Sequence, residues 1–287
     1  MLKGVLLSLG ANILFGMGFY FAILLQPLPD MGMFGFRILV LIPMLLLAIF
    51  LFNQQGAFKD LARKIKEKPW LIGFIMLLAC NLGTQLWLFL WAPNNGQAIQ
   101  VSVGYLLLPI VTAALGKIVF KEYFSPFKWL ALVFACIGVG VSIFLNSEIS
   151  WATFVVAFGY STYIVIRRYF NINTLATFVI ELILCLPWAL YHVLQLDMSI
   201  IISQNKYLYY YLILFGIVNG FGFMCFVASS NILPVNVLGL MGYVEPLVML
   251  IISFAIGEVL DSQSYILMAC LSVAIVLLTI DSFSKKA

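Results

Sequence analysis

Apolar residues fill the chain in ten long runs, at 2–25, 31–52, 70–92, 97–120, 127–146, 151–168, 174–196, 207–230, 235–256 and 263–283. Most are close to the roughly 20 residues that a helix needs to cross a hydrocarbon layer. Polar and turn-forming residues collect in short connections between them, such as Pro-Leu-Pro-Asp from Pro27, Pro-Asn-Asn-Gly from Pro93 and Asn-Ile-Leu-Pro from Asn231. The pattern predicts an all-α integral membrane protein of ten transmembrane helices. The sixth run is the weakest, because Arg167 and Arg168 close it early. The first run is longer than the apolar core of a cleaved signal peptide and no small-residue cleavage site follows it, so it is expected to be the first spanning helix.

The pattern also repeats. Phe34, Arg37 and Pro43 in the second run correspond to Phe178, Glu181 and Pro187 in the seventh, all at an offset of 144. Phe15-Gly16 corresponds to Phe158-Gly159, Asn81 to Asn219, and Pro109 to Pro246. The offset shrinks by about six residues where the 53–69 connection is longer than its counterpart at 197–206. Two five-helix units are therefore expected, at 1–146 and 147–287. Five is an odd number, so the two units enter the membrane in opposite senses. This 5+5 inverted repeat is a recurrent plan among secondary transporters, whose binding sites lie near the midplane between the halves.

Composition agrees with a lipid-facing surface: 64% of residues are hydrophobic and 9% charged, against about 25% charged in soluble domains. Under the ten-helix arrangement, thirteen of the fifteen Lys and Arg fall on one side, among them Lys59, Arg63, Lys64, Lys66, Lys68, Lys117, Lys121 and Lys128. Only Lys206 lies in an opposite connection, and Arg37 lies within a run. Lys and Arg collect on the cytoplasmic side, so both termini are expected there. The basic cluster at 59–68 is read as a topology determinant, and no nucleic acid partner is expected. Five cysteines lie inside apolar runs without metal-ligand or Cys-x-x-Cys spacing. They read as small apolar packing residues, and a single His192 is too little for a metal site. No metal or cofactor is expected. The chain has no phosphate-binding loop, no nucleophile elbow and no zinc-protease motif, so any transport would draw on existing gradients or on exchange.

Candidate chemistry lies in the polar residues at membrane depth, which are costly there and mark functional positions. Arg37, Glu181 and Glu245 are the charged ones. Arg37 and Glu181 admit either a structural role, locking each half, or a role in coupling. Glu245 lies near the middle of its run beside Pro246, which opens the helix backbone, and is expected to bind a cation or a proton. Arg37 lies toward the outer side, so Glu245 is expected to be unpaired. Asn81, Gln85, Gln100, Tyr105, Tyr160, Asn219 and Tyr243 add hydrogen-bonding groups to the same candidate cavity. Trp87 and Trp91 fit either an interfacial belt or the walls of a pocket. Glu122 and Glu258 end the fourth and ninth runs at matching positions, where a turn or cap role is expected.

The run Trp-Ala-Pro-Asn-Asn at 91–95, followed by Ser-Val-Gly-Tyr-Leu-Leu-Leu-Pro at 102–109, resembles the signature of the RarD subfamily within the EamA branch of the drug/metabolite transporter superfamily. Glu181 to Pro187 and Gly242 to Pro246 fall where that subfamily has related patterns. The resemblance covers essentially the whole chain. It implies a permease of the bacterial inner membrane, and relatives in the superfamily export amino acids and other metabolites. The chain departs from the subfamily pattern at Gln100, where a Glu is expected, and at Glu245, where a small residue is expected. A carboxylate has then moved from the fourth helix to the ninth across one cavity.

The function expected is secondary transport by alternating access of a small organic solute, amphipathic or with a cationic or zwitterionic head. The lipid bilayer, the solute and a proton or exchanged solute are the expected partners, and a monomer suffices. The rival readings are a membrane-embedded enzyme or assembly factor acting on lipid, and a passive channel. The first would need a cluster of nucleophile, base and metal ligands, and the second a ring of like charges.

Overall fold

The computed structural model describes residues 2–121, 124–144, 150–230, 232–233, 241–259 and 264–284. Among the described residues the chain is helical and contains no strand. The helices are α1 (Leu2–Met17), α2 (Phe21–Leu24), α3 (Asp30–Leu51), α4 (Gly56–Glu67), α5 (Leu71–Asn94), α6 (Ala98–Phe120) and α7 (Pro126–Phe144). They continue as α8 (Trp151–Phe154), a π-helical segment (Val155–Tyr160), α9 (Ser161–Tyr169), α10 (Leu175–Leu194), α11 (Met198–Gln204), α12 (Leu208–Ser230), α13 (Val244–Ala255) and α14 (Ser264–Ser284). Six stretches among the described residues are long and apolar enough to cross a membrane: Leu2–Leu24, Asp30–Leu51, Leu71–Asn94, Ala98–Phe120, Leu175–Leu194 and Leu208–Ser229. Shorter apolar helices occupy Pro126–Val141, Val244–Ala255 and Tyr265–Leu278. The chain is a multi-pass membrane protein.

Large apolar side chains point outward all around it, including Phe50, Leu77, Ile137, Ile213, Phe221 and Ile251. In water each would cost about 25 cal/mol for every Å² exposed, whereas lipid tails accept them without cost. Polar side chains point inward, where Arg37, Gln85, Glu181 and Asn219 are buried. With no water in the bilayer core, such groups must find partners within the protein.

Two departures from the apolar runs have local causes. The first run is interrupted at Gly18, where i→i+3 bonds replace the α-helical ladder from Phe19 N–H to Gly16 O through Phe21 N–H to Gly18 O. The 53–69 connection, read from sequence only as a basic segment, contains α4. Its Phe58, Leu61 and Ile65 recur at helical spacing and pack on the bundle, while Lys59, Arg63 and Lys66 are exposed. This is the pattern of a helix lying along a membrane surface.

The described connections gather at two ends. At one, Trp70 packs on Phe170 with ring centroids 5.2 Å apart, Lys64 donates to Asn171 O, and Arg168 lies 4.6 Å over the Phe120 ring. At the other, Asn94 and Asn95 donate to the Asp30 carboxylate at 3.2 and 3.3 Å, Gln26 donates to Asn94 Oδ1 at 2.7 Å, and Asn205 donates to Leu24 O and Gln26 O. The Trp-Ala-Pro-Asn-Asn segment thus serves as a fastener, joining the last turn of α5 to the first of α3.

The same end carries a longer-range tie. Glu258, just past α13, accepts from the backbone N–H groups of Ala98 at 2.8 Å and Ile99 at 2.7 Å. The first N–H groups of any helix lack intrahelical partners and favour a negative charge. A residue distant in sequence supplies it here, consistent with the cap role expected of Glu258. Glu122 lies outside the described residues. Glu258→Ala is expected to lower stability by about 1–3 kcal/mol, the range for charge-assisted hydrogen bonds, read as a drop in melting temperature in detergent. Unchanged melting would show that water replaces the carboxylate without loss.

Candidate functional site

The site forms where α3, α5, α6, the π-helical segment and α13 converge. Arg37 on α3 is buried, donates from Nη1 to Leu86 O at 3.3 Å, and lies 4.4 Å from the centroid of the Phe89 ring. Its Nε is buried without a partner. Phe89 packs edge-on to Tyr105 with centroids 6.4 Å apart, and Tyr105 packs edge-on to Tyr160 at 6.1 Å. Glu245, in the first turn of α13, completes the group. Arg37, Tyr105, Tyr160 and Glu245 all lie within one another's electrostatic reach, yet no direct ion pair joins Arg37 to Glu245. Arg37 is therefore closer to Glu245 than its place along the sequence implies.

Tyr105, Tyr160 and Glu245 are only partly buried by surface area although they lie deep in the bundle. α1 packs directly against α13, the helix that carries Glu245. Gly16 packs so closely on α13 that an added Cβ would lie 2.7 Å from Val248 and 3.1 Å from the Glu245 carbonyl oxygen. Only a residue without a side chain lets the two helices approach to that distance.

Glu181 belongs to a separate buried network. Its Oε2 accepts from Tyr163 Oη at 2.6 Å and lies 3.7 Å from Arg167 Nη1. Arg167 also donates to Tyr163 Oη, and from Nη2 to Thr174 O at 2.6 Å. Thr174 caps α10 by accepting from Thr177 N–H. The network ties α9 to α10, and α9 runs past the two arginines to Tyr169. Arg167 is thus a buried partner of Glu181, not a solvated charge at the end of a run.

The remaining predicted residues divide. Asn81 donates to Gly159 O at 2.8 Å and Gln85 to Val155 O at 2.9 Å, so both amides hold the π-helical segment against α5. Gly159 lets the two amides approach its backbone closely, since a Cβ would fall 2.9 Å from Gln85 Nε2 and displace that amide. Gln100 accepts from Thr153 Oγ1 through its carbonyl at 2.8 Å, while its side-chain Oε1 is buried without a partner, as is the Tyr243 hydroxyl. Asn219 turns back to donate to Phe215 O of its own helix. Trp87 packs against two of the hydrophobic clusters and lies 5.5 Å from Trp91, which in turn lies 5.4 Å from Trp151. Phe89 and Arg167 were not singled out from the sequence as site or network residues. An aromatic ring in an apolar run and an arginine at the end of one carry no local mark of their partners. Among the described residues no group of three or more His, Cys, Asp or Glu side chains is placed to hold a metal ion.

The EamA-like transporter family model matches residues 2–144 and again residues 146–280. The chain belongs to this family. An uncharacterized transporter of Pasteurella multocida is 45% identical over 277 residues, covering 96% of this chain and 95% of the relative. The chloramphenicol-sensitive protein RarD of Pseudomonas aeruginosa is 31% identical over 252 residues, covering 88% and 84%. The protein RarD of Escherichia coli is 26% identical over 284 residues, covering 98% and 95%. No solved structure matches. The protein is a RarD-like permease of the EamA family.

Proposed function

We propose that this EamA-family permease is a secondary transporter for a small zwitterionic or cationic organic solute with an aromatic or aliphatic body, working by alternating access. The observation that carries the reading is the pair of opposite charges, Arg37 and Glu245, that lie within electrostatic reach of each other without forming an ion pair. A guanidinium receives a carboxylate in two parallel hydrogen bonds, and a buried carboxylate receives an ammonium group. The Phe89, Tyr105 and Tyr160 rings beside them suit an apolar body or a cation held over a π face. The unpartnered Arg37 Nε, Gln100 Oε1 and Tyr243 hydroxyl are polar groups that a solute would satisfy.

The ten-helix 5+5 arrangement belongs to this proposal. Its support is the family model's two successive matches, which divide the chain close to the 146/147 boundary. Its support is also the segregation of the connections to two ends. Placing both termini in the cytoplasm of a bacterial inner membrane puts α4 and its lysines on the inner surface. Single cysteines replacing Gly56 and Gln204, in a chain with its native cysteines removed, test the orientation. An impermeant maleimide should label position 204 in intact cells and position 56 only after permeabilisation, and the reverse would overturn it.

The substrate class is tested by counterflow in proteoliposomes. Labelled aromatic and aliphatic amino acids, the corresponding amines and carboxylates, and the neutral aromatic chloramphenicol form the panel, the last prompted by the name of the Pseudomonas relative. Exchange of zwitterions or amines in preference to carboxylates and neutral molecules is expected. Preference for carboxylates alone would remove Glu245 from the site, and catalytic conversion without exchange would replace the transporter reading with an enzyme.

A further inference from the structure

A second polar feature lies on the outside of the bundle and is not used by the site described above. Between α5 and the α8–π segment runs a groove of about 500 Å³. Its rim is apolar and open: Leu77, Phe154 and Phe158 are 57%, 40% and 53% exposed, and the two phenylalanine rings stack with centroids 6.3 Å apart. Its floor is polar. Gln85 is only 3% exposed, and its Oε1 is buried with no hydrogen-bond partner. The other end of the same amide is fixed, because Nε2 donates to Val155 O at 2.9 Å. Asn81, also in the groove, is fixed by its bond to Gly159 O.

The depth of the groove decides what can enter. Gln85 lies nine residues from the Asn94 end of α5 and fourteen from the Leu71 end. At a rise of about 1.5 Å per residue, these are about 14 and 21 Å, so the groove opens near the middle of the hydrocarbon layer. A free acceptor there has no water to satisfy it. Only a molecule already dissolved among the lipid tails can bring a donor. No charged side chain lines the groove, which excludes an ionic headgroup. Its volume lies in the range of small-molecule sites.

We propose that this groove is a lateral binding site for an uncharged, bilayer-soluble amphiphile that carries a hydroxyl or amide donor. The donor reaches Gln85 Oε1, and the apolar body lies against Phe154, Phe158 and Leu77. The site stands apart from the transport reading, although Tyr160 of the internal site directly follows Gly159 of the groove.

The test uses the full chain in phosphatidylcholine vesicles and a long-chain alkanol bearing a diazirine. Saturable photolabelling of peptides containing residues 77–84 or 154–158 is expected, displaced by excess 1-octanol and not by octane. Both Gln85→Leu and Phe158→Ala should weaken displacement by octanol about five- to tenfold, the effect of losing one hydrogen bond or one aromatic contact. Gln85→Leu also removes the bond to Val155 O. Phe158→Ala leaves the floor intact, so its result decides the matter should the first variant fail to fold. Non-saturable labelling, equal displacement by octane, or full octanol displacement in a folded Phe158→Ala protein would each overturn the site.

Discussion

Replacing Arg167 with methionine is expected to leave little folded protein. Glu181 is completely buried and Arg167 is 6% exposed, so the substitution strands a carboxylate among apolar groups with only the Tyr163 hydroxyl left as donor. Removing one partner from a buried pair costs about 3–5 kcal/mol, a large part of the roughly 5–15 kcal/mol that holds a domain together. The Thr174 carbonyl also loses one of its two donors at the point where α10 begins, keeping only the Phe178 N–H. Size-exclusion profiles and melting in detergent are the measurements. The double variant Arg167→Met with Glu181→Leu should recover most of the loss, because an apolar pair of similar volume replaces both charges at little net cost. A single variant that melts within a degree of the parent would mean that the network contributes nothing to stability.

Glu245→Gln should leave folding intact and remove transport. The amide keeps the shape of the side chain beside Pro246 but loses the charge that faces Arg37, Tyr105 and Tyr160. Loss of one member of a buried charge pair costs about 2–5 kcal/mol, so affinity for a zwitterion or amine should fall at least about thirtyfold. Melting temperature and expression should remain near those of the parent. Binding in detergent and counterflow in vesicles separate the two effects. A Glu245→Gln variant that exchanges the same solute at the same rate would reduce Glu245 to a structural residue, and the preference for a positively charged group would lose its basis.

Hydropathy placed the helices well where the membrane alone dictates them. The runs 31–52, 70–92 and 97–120 correspond to helices Asp30–Leu51, Leu71–Asn94 and Ala98–Phe120 within a residue or two. It did not mark the π-helical segment, whose Val155 and Gly159 carbonyls are taken up by amides about 70 to 80 residues away. Nothing between 151 and 160 announces that event. α4 was open to detection from the spacing of Phe58, Leu61 and Ile65, but its lysines and arginine drew the reading toward charge placement. Among the site residues, Arg37, Tyr105, Tyr160 and Glu245 stood out because each is polar at membrane depth, and the fold brings them together. Asn81 and Gln85 stood out for the same reason, yet they line the outer groove and bond to the π-helical segment. Polarity at depth marks that a residue has a partner; which partner depends on helix rotation, and the sequence pattern fixes that only loosely.

The bond from Glu258 to the start of α6 also sets an order of assembly. Ala98 and Glu258 are 160 residues apart. At about 5–20 residues per second of synthesis, the open end of α6 waits on the order of ten seconds or more for its carboxylate. A chain that ends after α12 lacks Glu258 and therefore leaves the first turn of α6 unfastened at this end.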